Sequence, residues 1–278
     1  MFVNSNSNPT PDPTAFALTS ASRWILERFQ QLEQVLDQAE QNFELARSVE
    51  ALYNFLWNDL ADWYVEYLKT DDTQIGFAKE LFKQFTITAS PYMPFEAEAL
   101  WQDFFGEEDL LAFELKNPNW SHQVCQNNPN IQSKEFANVI EIITKIRSMR
   151  GLFAIDPAQK LEVFTTQTEL QAYQAFFQLV AKTELKFEPK TDLYTFEVDG
   201  QAFSLDILNY IKDKQSEIQR TNKLIESLNK QIQALQSQLH NQNFLQNAEK
   251  AVIAEKKSDL RKRQEELEAQ TAKLKFLD

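Results

Sequence analysis

The segment Tyr53-Asn-Phe-Leu-Trp-Asn-Asp-Leu-Ala-Asp-Trp-Tyr-Val-Glu66 decides the reading of the fold. Leu52, Phe55, Leu56, Leu60, Trp63 and Tyr67 follow a helical period, and Tyr53, Trp57, Tyr64 and Leu68 form a second stripe beside the first. Such spacing describes a helix with two apolar faces. Only Asn54, Asn58, Asp62, Glu66 and Lys69 make a polar line, so the expectation is a central helix packed on both sides by other helices. A helical bundle follows. Trp57, Trp63, Tyr92, Phe95 and Trp101 are expected in its core, where aromatics on apolar helix faces belong.

Working outward, Ser20 or Ser22 is a candidate N-cap for a first helix carrying Trp24, Ile25, Phe29, Leu32, Val35 and Leu36 to about Asp37. No breaker follows it, so one long rod from about Ala39 to Lys69 is predicted. A third helix, with Phe77, Leu81, Phe82 and Phe85, runs from about Thr73 to Ala89 and stops at Pro91. Pro94 then opens a short helix whose Leu100, Trp101 and Phe104 should point inward. The stretch from Gly106 to Ser133 reads as a looser connector, and Trp120 within it is a candidate to stack on an unpaired base. Helix returns from Lys134 to about Met149.

Beyond Pro157 the period changes. Residues 161–165, 184–188 and 194–198 alternate like strands, with a helix at about 167–182 between the first two. Asp199-Gly200 is a hairpin turn into residues 201–205. From Leu205 onward there is neither glycine nor proline, and Ile211, Ile218, Ile225, Ile232 and Leu239 recur every seven residues. Ile253, Leu260, Leu267 and Leu274 repeat the device after a turn at 241–243. The fold class is therefore mainly α. A disordered leader (1–20) precedes a helical bundle (21–150), a small α+β module (151–204) and a C-terminal antiparallel coiled-coil hairpin (205–278), with limbs of roughly 45–55 Å at 1.5 Å per residue.

Four glycines in 278 residues agree with long helices. The lone Cys125 cannot form an internal disulfide, no secretory leader is recognisable, and no apolar run approaches about 20 residues, so a cytoplasmic protein without membrane insertion is expected. Net charge is −13, which argues against a polyanionic partner for the chain as a whole. The distribution is uneven. Lys plus Arg against Asp plus Glu is 11 to 22 over residues 1–150, 4 to 8 over 151–204 and 13 to 11 over 205–278. Only the hairpin carries a basic balance able to meet phosphate.

The order of features resembles the C-terminal part of valyl-tRNA synthetase, a class I aminoacyl-tRNA synthetase. The resemblance rests on Ser22-Arg-Trp-Ile-Leu26, Tyr53-Asn-Phe-Leu-Trp57 with Asp62-Trp-Tyr-Val-Glu66, Pro91-Tyr-Met-Pro-Phe95 with Leu100-Trp-Gln102, Ile146-Arg-Ser-Met-Arg150, and Asn243-Phe-Leu-Gln-Asn-Ala248 opening the second limb of the hairpin. It implies an anticodon-binding bundle and a coiled coil that reaches the tRNA. The family's ATP-binding signatures, His-Ile-Gly-His and Lys-Met-Ser-Lys-Ser, occur nowhere in the sequence. The implied role is to position valine tRNA for a catalytic core that is not in this chain, which should be inactive alone. ATP and Mg would be needed only by a catalytic partner, and no cofactor is expected here.

The residues that could contact tRNA phosphates are Lys145, Arg147 and Arg150 at the end of the bundle's last helix, and Lys256, Lys257, Arg261, Lys262 and Arg263 in the hairpin. Helix-end charges and a solvated coiled-coil face would also explain them. His122 and Cys125 lack the second ligand pair that a zinc site requires, so no metal is expected, and no catalytic residue is assigned. The acidic bundle keeps a second function open: a non-enzymatic coiled-coil interaction protein derived from a synthetase fragment.

Overall fold

The computed structural model describes residues 16–106, 110, 120–130, 132–190, 193–211, 213–241 and 248–277. The chain divides into two compact units, Met1–Ile142 and Ile143–Asp278. Most of the expected leader lies outside the described residues, but from Phe16 the chain is packed. Phe16 meets Phe77 edge-on at 5.5 Å, and Leu18 is buried.

In the first unit, helix α1 (Ser20–Gln41) starts at an N-cap supplied by Thr19, whose hydroxyl accepts from the Ser22 amide. Ser22 is buried instead, and its hydroxyl bonds the Tyr64 hydroxyl and Gln74 Oε1, each at 2.7 Å. The expected rod from Ala39 is broken. Asn42–Glu44 reverses the chain, with Phe43 at φ 57°, and the central helix is assembled from α2 (Leu45–Asn54), π-helical turns over Phe55–Tyr64 and α3 (Val65–Leu68).

The π-helical winding corrects the reading of two buried faces. Bonds of i→i+5 type bring residues four and five apart onto one side, and Phe55, Asp59, Leu60 and Tyr64 are the buried set. Trp57 falls opposite and is 53% exposed, as is Tyr53 at 59%. The helix is packed on one side only.

Helix α4 (Ile75–Ala89) and helix α5 (Pro94–Phe104) follow, with Pro94 in the first turn of α5. Ile87, Ala97, Trp101 and Leu110 form a local core. Phe95 and Phe104, expected inside, are exposed because α5 turns only Ala97 and Trp101 inward. The connector is not all loop. Helix α6 (Trp120–Asn127) lies within it and buries Trp120, which stacks on Phe77 at 6.0 Å and touches Phe29 at 6.4 Å. Trp120 is therefore a core residue and leaves the list of base-stacking candidates. Helix α7 (Lys134–Leu152) begins in this unit, where Phe136 packs on Tyr67 at 5.2 Å and on Trp24 at 5.5 Å. Each such buried ring contributes about 2–3 kcal/mol of apolar burial.

In the second unit, strands β1 (Leu161–Phe164), β2 (Thr183–Lys186), β3 (Tyr194–Val198) and β4 (Gln201–Leu205) form one sheet in the order β2-β1-β4-β3. β1 and β2 are parallel, joined through a 3₁₀ turn (Thr168–Tyr173) and helix α8 (Gln174–Ala181). Asp199 and Gly200, at φ 49° and 74°, make the β3–β4 hairpin turn, the left-handed pair that a two-residue connection needs. The coiled coil consists of α9 (Lys214–His240) and α10 (Lys250–Leu277). Its limbs of 27 and 28 residues are about 40 Å long, shorter than expected because α9 starts at Lys214, leaving Ile211 outside the repeat. Most of the expected turn at 241–243 lies outside the described residues.

Candidate nucleic-acid interface

Two sets of basic residues, at the end of α7 and along the coiled coil, both lie within the second unit. The end of α7 lies against the end of α8, and its arginines serve that contact. Arg150 is 7% exposed. Its guanidinium donates to the carbonyls of Asp156 (3.1 Å), Ala181 (2.8 Å) and Lys182 (3.1 Å). Arg147 donates to the Val180 carbonyl at 3.0 Å. The Val180, Ala181 and Lys182 carbonyls are among those a helix leaves without intrahelical partners, at the negative end of its dipole, so the two arginines cap α8. Burial pulls the Arg150 guanidinium below its ordinary pKa, though it stays charged. Arg150 is thus a structural cation and is removed as a phosphate contact. Arg147 keeps an exposed side, and Lys145 is exposed on the same helix.

The arm differs. Lys257, Arg261, Lys262 and Arg263 are exposed on α10, and Lys256 is half-buried. Arg261 pairs with Glu265 at 2.8 Å and Arg263 with Glu266 at 2.9 Å, both within one helical turn. Surface pairs of this kind are worth about 0.3–0.5 kcal/mol and exchange readily for another anion. Lys257 and Lys262 have no ion-pair partner among the described residues. The facing limb adds Arg220, Lys223 and Lys230, all exposed on α9. Sequence reasoning passed over these three because they are scattered between the heptad positions, and only the basic balance of the tail hinted at them.

The arm is anchored at its root. Lys273, 3% exposed, donates to the Leu152 carbonyl and to Glu217, each at 2.5 Å. Phe276 sits edge-on to Phe153 (6.1 Å) and to Tyr194 (5.2 Å). The apolar stretch 151–157, where Phe153 and Ile155 are buried, thus holds the coil against the sheet module. A cationic two-helix arm fixed at one end can hold a polyanion at a set orientation.

Elsewhere, Cys125 is half-buried, and burial raises its thiol pKa, the reverse of what a metal-binding thiolate requires. Among the described residues no group of three or more His, Cys, Asp or Glu could hold a metal ion, and no helix is long and apolar enough to cross a membrane.

Comparison with known proteins places this architecture. The family model described as the anticodon-binding domain of tRNA ligase matches residues 22–165, more than half of the chain, and the chain belongs to that family. A second model, the valyl tRNA synthetase tRNA binding arm, matches residues 213–278, so the chain pairs an anticodon-binding domain with the arm of the valyl enzymes. It is 28% identical to a valine–tRNA ligase of Zymomonas mobilis, with 91% of this chain and 30% of that protein aligned. It is 27% identical to one of Streptomyces coelicolor (96% and 31%) and 28% identical to one of Fervidobacterium nodosum (90% and 29%). The chain spans about 30% of the length of these relatives, and the matched segment does not include a catalytic core.

Proposed function

We propose that the chain positions valine tRNA for a valine–tRNA ligase whose catalytic portion, with its ATP and Mg, is supplied as a separate polypeptide. The observation that carries this reading is the anchored arm, whose exposed Lys257, Arg261, Lys262 and Arg263 lie on one limb and Arg220, Lys223 and Lys230 on the other. Phosphate contacts from such residues fix register and orientation without reading sequence. Discrimination of one tRNA from another then falls to the bundle. The cytoplasm, where protein synthesis takes place, is the compartment this role requires.

The test is binding of the purified chain to a valine tRNA transcript and to a non-cognate transcript, across a range of salt concentrations. The expected result is tighter binding of the valine transcript, with affinity falling as salt rises and the salt dependence reduced when the arm lysines are removed. Equal, weak binding of both transcripts at low salt overturns the reading.

A further inference from the structure

The first unit carries an apolar surface that its own fold leaves uncovered. Leu45, Val49, Tyr53 and Trp57 recur every four residues along the central helix and are 66, 51, 59 and 53% exposed. The Tyr53 and Trp57 rings lie 6.3 Å apart, so the residues form a ridge. Phe43, at the head of the ridge, is 95% exposed and held in the left-handed region, a conformation unfavourable for a bulky side chain. Isolated surface apolar residues are ordinary, but a continuous ridge marks an interaction site. Beside it runs a groove of about 300 Å³ between α1 and α2, lined in part by Gln31, Val35, Glu50 and Asn54.

Charge narrows what can sit there. The cations beside the ridge are already paired, Arg28 with Asp59 at 2.9 Å and Arg47 with Glu44 at 3.0 Å. Glu40, Glu50 and Asp62 are exposed, with no ion-pair partner among the described residues. An acidic rim repels nucleic acid, and two copies of the chain would bring like rims together. The fitting occupant is a protein surface with an apolar ridge and basic flanks.

Resting on the reading above, we propose that this ridge and groove seat the catalytic portion of the ligase. In the relatives most of the polypeptide lies outside the match, so the matched segment there has a large protein neighbour in the same molecule. The docking segment is an amphipathic helix of that portion, apolar along one face and flanked by Lys or Arg, laid along the groove.

The experiment places a photo-cross-linking amino acid at position 57 of the full chain, expressed in its own organism, and identifies the adduct by mass spectrometry. One dominant adduct is expected, a polypeptide bearing the His-Ile-Gly-His and Lys-Met-Ser-Lys-Ser signatures. Its yield should fall at least about tenfold in Val49→Lys/Tyr53→Lys and separately in Glu40→Arg/Glu50→Arg. An adduct of the chain with itself, an adduct lacking the signatures, no adduct, or yields unmoved by either variant overturns the proposal. Binding of the same variants to valine tRNA separates the two readings. Normal tRNA binding without the adduct removes the docking face alone, whereas the adduct without tRNA binding removes the tRNA role and leaves the docking face standing.

Discussion

Arg150 on α7 and Arg261 on α10 are the same residue type, each near other basic residues, yet they do opposite things. Arg150 has 7% of its surface exposed and spends its guanidinium on three carbonyls, whereas the side chain of Arg261 is 82% exposed and holds only Glu265, one turn away. The first cation is part of the fold, and the second is available to a partner. A cation acts on a ligand only when folding has not already given its donors to the backbone. The environment that completes those donors decides this, and the neighbours in sequence do not.

The comparison can be broken most severely at Lys273, the most buried lysine of the arm. Lys273→Met leaves Glu217 without its partner in a 15% exposed site and should cost about 3 kcal/mol, read as a lowered denaturation midpoint. Lys273→Met/Glu217→Met should recover part of that loss, because removing both charges leaves neither unpaired. Arg150→Met comes next. It removes the guanidinium hydrogen bonds to the Asp156, Ala181 and Lys182 carbonyls, of which the last two keep the Thr183 hydroxyl and the Leu161 amide as donors. The change should cost about 2 kcal/mol in urea unfolding, with tRNA affinity per folded molecule unchanged.

On the open side, Lys257→Ala/Lys262→Ala should leave unfolding within about 0.5 kcal/mol of the parent. It should also flatten the slope of log affinity against log salt by about one for each phosphate no longer neutralised. A large drop in stability here, or a flattened salt slope in Arg150→Met, would erase the distinction. Phe43→Gly sharpens it within the bundle. Removing a side chain from φ 57° relieves about 1 kcal/mol of strain, so the chain should become slightly more stable in thermal unfolding, because Phe43 buries nothing in return.

The smallest effect concerns a carboxylate caught between the two situations. Burial raises the Glu33 carboxyl pKa, opposed by the hydrogen bond from the Ser121 hydroxyl at 2.7 Å. The native state therefore holds this proton at pH values where the unfolded chain has released it. Stability from this group should fall as pH rises from the ordinary glutamate range through the raised native value. Glu33→Gln should flatten that part of a stability-versus-pH profile.

Much of this molecule was legible from its residues. The Pro94 start of α5, the Asp199-Gly200 hairpin and the two helical limbs rest on local chemistry: a fixed φ, a permissive one and a seven-residue period. The missing break before Leu45 shows the limit, since Asn42-Phe43-Glu44 contains no glycine or proline and the chain turns there by forcing Phe43 into the left-handed region. The basic sites were found as residues but not as roles. Arg150 and Arg261 differ in what the fold places beside them, three backbone carbonyls against one glutamate a turn away.

The sequence alone determined most of the element types, the acidic bundle and basic tail, and the family resemblance, because periodicity, turn residues and charge balance are written in neighbouring positions. Tertiary structure decided which apolar stripe of the central helix is covered, which cations are consumed as caps, and that Trp120 is core while Trp57 is not. Those outcomes depend on packing between residues far apart in the chain: Arg150 meets the end of α8, and Trp120 closes over Phe29 and Phe77. A periodic pattern states that a face is apolar. Only the packed neighbours settle whether that face is filled or left open for another protein.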